Sequence, residues 1–318
     1  MANVTVSETS LQQKQTFKKA KENTVLTKRS RGEKALFGIV FTIFVLYGLS
    51  LVMPFLYLFV NSFKDGLEYI NDLNGGGSLS APDKWLFGNY LEAFTGMTMI
   101  DSMGNEVNLI MMFFNSVWYA LVCVFASVAA STLTAYCVSK YKFKLRGFFY
   151  GIAIFTMTIP IVSATGAQFK LADTIGIYNT PLYPIIMNFS GFGFNFLVLY
   201  GFFSNIPWSY AEAVFIDGGG HGTVFFKIML PQALPTMLTL GIMSFIGSWN
   251  DYQTVLLFLP DFPTLASGIY RIEQSITRGG NYPIYFAGLL ISIVPIIVLF
   301  SCFSNTIMKN FTVGGLKG

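Results

Sequence analysis

The segment YAEAVFIDGGGHGTVFFKIMLP, residues 210–231, is a polar, glycine-interrupted island in a chain that is otherwise rich in apolar residues. We expect a short helix over residues 208–216, because the glycines at 218–220 follow it and glycine accepts the positive φ of a chain reversal. A second amphipathic stretch follows and runs to Pro231. The segment therefore predicts a helix-turn-helix elbow, which we place at residues 205–233.

The start of the elbow carries helix-initiating residues. Pro207 suits a first helical turn, where its missing N–H has no helical acceptor, and Ser204 or Asn205 can cap that turn. At the turn itself, we expect the carboxylate of Asp217 to accept backbone N–H bonds beside Gly218. The elbow is thus predicted to be a defined structure rather than a loose loop.

The composition around the elbow is that of a membrane protein. Of 318 residues, 53% are hydrophobic and 11% are charged, against about 25% charged in soluble domains. Runs without any charged residue exceed the roughly 20 residues that a helix needs to cross a bilayer, and backbone in lipid must be hydrogen-bonded. We predict an all-α membrane protein with six transmembrane helices. The spans are 36–60, 113–138, 148–166, 182–203, 234–258 and 284–304.

Prolines and glycines are expected to break several spans. These breaks fit either kinks around a translocation path or ordinary kinks in a packed bundle. The residues concerned are Pro54, Pro160, Gly166, Gly191, Gly193 and Pro295.

Orientation follows from the distribution of lysine and arginine. With the N-terminus inside, cytoplasmic segments hold fifteen of the twenty basic residues. The first external loop, 64–112, is acidic and contains turn signals and a short predicted helix at 87–94. We therefore predict cytoplasmic tails at 1–34 and 309–318, a transmembrane domain at 35–308, and a cytoplasmic elbow. From its polar composition, we expect that this start is not a cleaved signal peptide.

The elbow resembles the "EAA" coupling loop of ABC importer permeases. Val214 stands where the pattern has its second alanine. The matching residues are Glu212, Ala213, Asp217, Gly218, Ile228, Leu230 and Pro231.

Further fragments of the chain are similar to the same family, from about residue 85 to residue 318. They lie in the family's order and single out its carbohydrate-uptake branch, the maltose-permease-like second subunit. The fragments are Asn115-Ser116, Ala135-Tyr136, Tyr141-Lys-Phe143, Ile159-Pro160, the "LGLxNT"-like segment 171–180, Trp249-Asn-Asp251-Tyr, Pro263-Thr-Leu265 and the "TxGxxKG"-like tail 312–318.

The resemblance implies an ABC importer type I permease fold, with the elbow docked in a cleft of an ATPase. It implies ATPase coupling through Tyr210 and the matching elbow residues. The implied partners are a second permease subunit, two cytoplasmic ATPase subunits and an extracellular solute-binding protein, in the bacterial cell membrane. ATP and Mg would be bound by the ATPase subunits, with no cofactor and no metal in this chain. Nothing in the basic residues indicates a nucleic acid.

A polar group inside the fifth predicted span marks a candidate substrate path. Ionisable residues at that depth are costly and usually face a cavity or a partner. Hydroxyl-rich sugars need hydrogen bonds and aromatic faces, whereas the alternative is a structural bond between helices. The residues are Trp249, Asn250, Asp251, Tyr252 and Gln253.

Several features of the sequence bear on functions other than that of an importer permease. The triple glycine is not a nucleotide loop, since no strand precedes it and no Gly-Lys-Ser/Thr follows. The cysteines, Cys123, Cys137 and Cys302, lack metal spacing, and His221 is expected to be a solvated turn residue. A permease for an osmolyte or amino acid stays an alternative. An ion-coupled secondary transporter or a membrane enzyme is less favoured, because intramembrane carboxylates and histidines are few.

Overall fold

The computed structural model describes residues 31–77, 79–158, 164–276 and 281–313, with side chains described as far as Ser304. Most of the predicted N-terminal tail, Pro160, and the final "TxGxxKG"-like residues from 314 onward lie outside the described residues. The chain divides into two units, one reaching Leu56 and the other beginning at Tyr57.

Helix α1, Arg31–Asn61, contains the first predicted span. Pro54 lies inside it, and Pro295 lies inside the last helix, so neither proline ends its helix, and kinks at these two positions stay predictions. A proline removes one helical hydrogen bond, and this can bend a helix without ending it. In α1 the large apolar side chains from Leu36 to Leu56 are exposed, as expected of a surface that meets lipid or another protein.

The next segment is a small mixed structure, α2 (Gly66–Gly75), α3 (Gly88–Gly96), β1 (Thr98–Ile100) and β2 (Glu106–Asn108). The helix predicted at 87–94 is confirmed by α3. The antiparallel hairpin, which pairs Met99 with Val107, corrects the all-α prediction. Its strands have three residues each, too short to show a two-residue periodicity in the sequence.

A buried ion pair holds this segment together. The fully buried ammonium of Lys64 lies 2.7 Å from Asp72 Oδ2 and also donates to Ser80. These two partners hold the pKa of the Asp72 carboxyl below its usual range. In the hairpin turn, the Asn105 side chain and backbone likewise lower the pKa of the Asp101 carboxyl.

Helix α4, Leu109–Lys140, is the central element of the second unit. The Asn108 side chain caps it by accepting from the Met111 N–H. It packs most extensively against the helices at 194–205 and 230–249, and it also contacts the helices at 182–188 and 265–276. The second predicted span, 113–138, therefore lies within one continuous helix.

The third and fourth predicted spans are not single helices in the described residues. Residues 148–158 belong to α5, Arg146–Thr158, residues 159–163 are not described, and α6, Thr165–Thr174, follows with Gly166 in its first turn. The span 182–203 divides into α7, Leu182–Asn188, and α8, Phe194–Asn205. Between them, Gly191 and Gly193 have φ of +71° and +114°, which confirms the predicted glycine break.

The last third of the chain is helical with several interruptions. The fifth predicted span, 234–258, had the wrong bounds: a continuous helical run covers His221–Trp249, and residues 252–258 form a separate helix. The elements are α9 (Ser209–Ile216), α10 (His221–Thr223), a π-helical turn π1 (Val224–Met229), α11 (Leu230–Trp249), α12 (Tyr252–Phe258), α13 (Leu265–Ile276) and α14 (Tyr282–Val313).

Four helices of the described residues are long and apolar enough to cross a bilayer. They are Arg31–Asn61, Leu109–Lys140, His221–Trp249 and Tyr282–Ser304. The chain is therefore a membrane protein by helix length and composition, and the crossings by 148–166 and 182–203 stay predictions.

Candidate functional site

Helix α9 separates a packed face from an exposed face. Ala211 is fully buried, and Val214 and Phe215, three and four residues on, pack partly against the same core. Positions three or four apart share a face of a helix. The remaining positions, Tyr210, Glu212, Ala213, Ile216 and Asp217, are exposed, with Ile216 86% exposed.

The turn after α9 is closed by backbone hydrogen bonds. The Gly219 N–H donates to Val214 O at 2.8 Å, and the Gly218 N–H donates to Phe215 O at 3.1 Å. With Gly218 at φ +78°, this is a Schellman ending. Within the described part of the structure, no hydrogen bond reaches the Asp217 carboxylate, which was expected to accept backbone N–H bonds at the turn. Backbone hydrogen bonds of Gly218 and Gly219 hold the turn instead. The carboxylates of Glu212 and Asp217 both face outward there, without an ion pair.

Val214, which departs from the resembling motif, is matched by a glycine across the turn. A Cβ on Gly219 would lie 2.6 Å from Val214 Cγ1 and 3.1 Å from Val214 O. The branched side chain therefore occupies the space that a side chain at 219 would need. The presence of Val214 thus restricts position 219 to glycine by steric contact.

The elbow begins differently from the prediction. Ser204 and Asn205 belong to the end of α8 rather than capping α9. Trp208 occupies the N-cap of α9 without a side-chain cap bond, and Pro207 precedes it. The physical reason is that α8 runs on to Asn205, so its last turn uses the residues that could have capped the next helix.

The second arm of the elbow is a π-helical turn that continues into α11. The Leu230 N–H donates to Phe225 O, five residues back. Pro231 has no N–H, so the regular helical bond to Lys227 O cannot form, and the wider turn accommodates this. Ile228 and Leu230 are half-buried, whereas Pro231 is exposed.

Aromatic side chains fix the elbow to the end of α4. The Tyr136 ring lies 4.8 Å from the Phe225 ring and 5.7 Å from the Phe203 ring of α8. Val224 and Met229 are fully buried in the same cluster. The core beneath the elbow is therefore built from α4, α8 and both arms of the elbow.

Tyr141, at the C-cap of α4, contacts the turn of the elbow directly. Its hydroxyl lies 2.9 Å from His221 Nδ1 and 3.3 Å from the Tyr136 hydroxyl. His221 packs its ring edge against Phe215 with centroids 4.9 Å apart. The expectation that His221 is a solvated turn residue is half correct, because the ring is exposed but hydrogen-bonded.

The polar group of the predicted substrate path lies at the break between α11 and α12. Trp249 is buried and its indole N–H donates to Ser292 O at 3.3 Å. Asp251 caps α12 by accepting from the Thr254 N–H at 3.0 Å, and it also accepts from the Tyr119 hydroxyl of α4 at 3.2 Å. Asp251 therefore forms the structural bond between helices that was the alternative interpretation.

The neighbouring path residues are more accessible. Asn250 and Gln253 are exposed, although the Asn250 amide donates to Ile246 O. Tyr252 is 42% exposed, and its ring stacks on that of Tyr270 of α13 with centroids 4.7 Å apart. Of the predicted path residues, Trp249 and Asp251 therefore make structural hydrogen bonds, whereas the side chains of Asn250, Tyr252 and Gln253 are exposed.

A second polar cluster, which we call the Asp261 cluster, joins three distant segments. Asp261 accepts from Ser102 of the hairpin turn and from the amide of Asn179, while its own N–H donates to Asn179 Oδ1. Asn179 adopts a positive φ of 54°, which asparagine tolerates better than most residues. Beside it, Asn115 of α4 donates to Pro263 O. The cluster brings together the motif-like fragments at 115–116, 171–180 and 263–265.

The predicted coupling residues thus lie in one elbow, and the predicted path residues lie near the other end of α4. Tyr119 and Tyr141 are separated by about 33 Å of helix. Ile216, Tyr270 and Asp261 lie beside the predicted residues, although the sequence did not predict them as members of these sites. Only Asp261 had a usable signal, a lone acid next to the motif-like Pro263-Thr-Leu265. Among the described residues, no group of His, Cys, Asp and Glu is arranged to hold a metal ion.

Comparison with known proteins agrees with this architecture. The family described as "Binding-protein-dependent transport system inner membrane component" matches residues 124–309. The arabinooligosaccharides transport system permease protein of Halalkalibacterium halodurans is 31% identical, over 84% of this chain and 91% of that protein. The diacetylchitobiose uptake system permease protein of Streptomyces coelicolor is 26% identical, over 88% and 89%. The galactooligosaccharides transport system permease protein of Bacillus subtilis is 27% identical, over 77% and 86%.

A solved structure shows the same fold. It is the crystal structure of a bacterial ABC transporter involved in the import of the acidic polysaccharide alginate. The TM-score is 0.69 at 20% identity, and the match covers 87% of this chain and 98% of that chain.

Proposed function

The chain belongs to the family of binding-protein-dependent transport system inner membrane components, and we propose that it is a permease subunit of an ATP-driven importer of sugars or oligosaccharides. The cargo is inferred from relatives named for the transport of diacetylchitobiose, arabinooligosaccharides and galactooligosaccharides. An extracellular solute-binding protein would deliver the sugar, as the crystal structure of an alginate transporter bound to an alginate-loaded periplasmic protein suggests by its likeness of fold. The six-span, type I arrangement belongs to this proposal.

The observation that carries the mechanism is the exposed face of α9. It presents two carboxylates, Glu212 and Asp217, and a largely exposed Ile216, while its other face is packed on the core. Exposed apolar side chains rimmed by charges are typical of protein contact surfaces. We assign this face to docking on an ATPase subunit, which would bind ATP and Mg. A second permease subunit and a second ATPase complete the complex.

The packed face of α9 supports a mechanical role for the elbow. Ala211, Val224 and Met229 are fully buried in the cluster that includes α4 and α8. A force on the exposed face would therefore act on packed side chains that have little room to yield. The proposal is that closure of the ATPases on ATP displaces the elbow and changes which side of the membrane the path opens to.

Replacing Glu212 by alanine tests the docking role. We expect ATPase co-purification with the membrane complex to fall about tenfold or more, since removing one partner of a charged interface contact costs about 2–5 kcal/mol. Glu92→Ala, an exposed glutamate on the similarly short α3, is the matched control and should leave co-purification unchanged. The same experiment tests orientation, because a cytoplasmic ATPase reaches only a cytoplasmic elbow. Wild-type co-purification and ATP-driven uptake in Glu212→Ala would show that α9 is not the docking helix.

The sugar path is proposed at the exposed residues of the α11–α12 break, Asn250, Tyr252 and Gln253. Tyr270 joins them through its stack with Tyr252. Hydrogen-bonding amides beside exposed aromatic rings suit a ligand that has both hydroxyl groups and apolar ring faces. Trp249 and Asp251 hold the break in place instead of facing the cargo.

A further inference from the structure

The side chain of Tyr141 touches both arms of the elbow and the turn between them. Its ring centroid lies 6.0 Å from that of Trp208, which precedes α9, and 5.5 Å from that of His221, which opens α10. Through Tyr136, which contacts Phe225, it is also joined to π1. Tyr141 therefore contacts Trp208 and His221 directly, and it is linked to π1 through Tyr136.

The contact between Tyr141 and the turn of the elbow is directional, because it is a hydrogen bond. The 2.9 Å bond between the Tyr141 hydroxyl and His221 Nδ1 fixes both the distance and the angle of the turn relative to α4. The bond extends to the Tyr136 hydroxyl at 3.3 Å, so that three side chains form a chain of hydrogen bonds. Which group donates in each of these hydrogen bonds depends on which ring nitrogen of His221 carries the proton.

The other end of α4 is fixed to the regions proposed for the sugar path and the outer face. Tyr119 donates to Asp251 at the α11–α12 break, and Asn115 donates to Pro263 O beside the Asp261 cluster. Both contacts are made by one continuous helix, Leu109–Lys140, whose C-terminal end meets the elbow. Such a helix transmits a displacement of one end to the other better than a loop does.

We propose that the Tyr141–His221 hydrogen bond is a positioning contact that transmits the movement of the elbow to α4. The inference rests on the proposed function, because it requires that an ATPase moves the elbow. It assigns a role to the one histidine of the chain that neither the docking face nor the sugar path uses. His221 acts here through Tyr141 and touches neither ATP nor sugar.

Cys137, exposed and one turn before Tyr141, is a native reporter of the end of α4. Its backbone carbonyl accepts from the Tyr141 N–H, so the two residues move together. The experiment measures the alkylation rate of Cys137 by N-ethylmaleimide in the complex with its ATPase, with and without ATP and vanadate. Cys123→Ala and Cys302→Ser remove the other thiols.

We expect the trapped state to change the alkylation rate of Cys137 in the otherwise unmodified chain. Tyr141→Phe keeps the ring but removes the hydroxyl, and should reduce that change about two- to tenfold, the usual effect of one hydrogen bond. His221→Asn places a hydrogen-bonding group near the position of Nδ1 and should preserve the change. His221→Gln, whose amide extends past that position, should reduce the change as much as Tyr141→Phe does. The double variant, Tyr141→Phe with His221→Gln, should reduce the change in the alkylation rate of Cys137 no more than either substitution alone. The reason is that both substitutions remove the same bond.

Two outcomes would overturn the proposal. One is an alkylation rate of Cys137 that ATP and vanadate leave unchanged in the chain with Tyr141 and His221 intact. The other is a Tyr141→Phe variant that responds as strongly as that chain. ATPase co-purification separates this failure from failure of the proposed function: it should stay within about twofold of wild type in the Tyr141 and His221 variants. It would be absent throughout if the elbow did not dock an ATPase.

Discussion

At the scale of single residues, the turn of the elbow shows how one substitution in a motif constrains another position. Val214 fills the space beside Gly219 that smaller motif residues would leave open. The glycine at 219 is therefore required by packing, whereas the glycine at 218 is required by its positive φ. Glycine is thus required at two adjacent positions for two different physical reasons.

Substituting Gly219 tests this reading. Gly219→Ala should destabilise the elbow by about 1–3 kcal/mol, the usual cost of overpacking. Adding Val214→Ala should recover much of that loss, because it removes the 2.6 Å approach to Cγ1 and leaves only the carbonyl at 3.1 Å. Hydrogen exchange of residues 210–223 measures the effect. The control is Gly220→Ala, since nothing lies within 4 Å of a Cβ there. Equal protection in Gly219→Ala and Gly220→Ala would refute the steric link.

At the scale of elements, the sequence predicted the elements that depend on local signals. The helix 208–216, the glycine reversal, the α3 helix and the break at 191–193 each follow from residue types that act within a few positions. The bounds of the fifth span were wrong because α11 ends at Trp249, and Asp251 caps the next helix by accepting from the Thr254 N–H. From the sequence alone, an acidic residue inside an apolar run fits a helix cap and a buried functional group equally well.

Long-range arrangements could not be predicted from the sequence. The Asp261 cluster depends on Ser102 and Asn179, which are 159 and 82 residues away along the chain. Likewise, the buried ion pair of Lys64 and Asp72 appears in the sequence as two ordinary loop charges. Only the tertiary fold brings such partners together, and no periodicity in one sequence records it.

The α11–α12 break carries the prediction for the sugar path. Tyr252→Ala should lower oligosaccharide uptake about tenfold, the effect of losing an aromatic contact worth roughly 1.5 kcal/mol. Assembly of the complex should be unaffected, because Tyr252 is exposed. Leu257→Ala is the control, since Leu257 lies on the same helix and is also 42% exposed. If both variants take up every tested saccharide at the wild-type rate, the path lies elsewhere.

At the scale of the whole molecule, the proposed function makes the chain a transmission element between an ATPase and a sugar path. The elbow packs on one end of α4, and the α11–α12 break and the Asp261 cluster contact the other end. Under the proposed function, nucleotide chemistry takes place in partner subunits. An ion-coupled transporter would need a carboxylate that is able to bind the coupling ion. Among the described residues at the break, the only acid is Asp251, and it already caps a helix.

Uptake by proteoliposomes tests the central claim most directly. The complex of this chain with its partner subunits is reconstituted, and radiolabelled diacetylchitobiose, arabinooligosaccharides and galactooligosaccharides are supplied with the solute-binding protein on the opposite side from ATP and Mg. The account predicts that at least one of these sugars accumulates only when ATP and Mg are present on the side of the elbow. Accumulation driven by a proton or sodium gradient without ATP would contradict it, as would ATP-driven uptake of an amino acid or osmolyte with none of the three sugars.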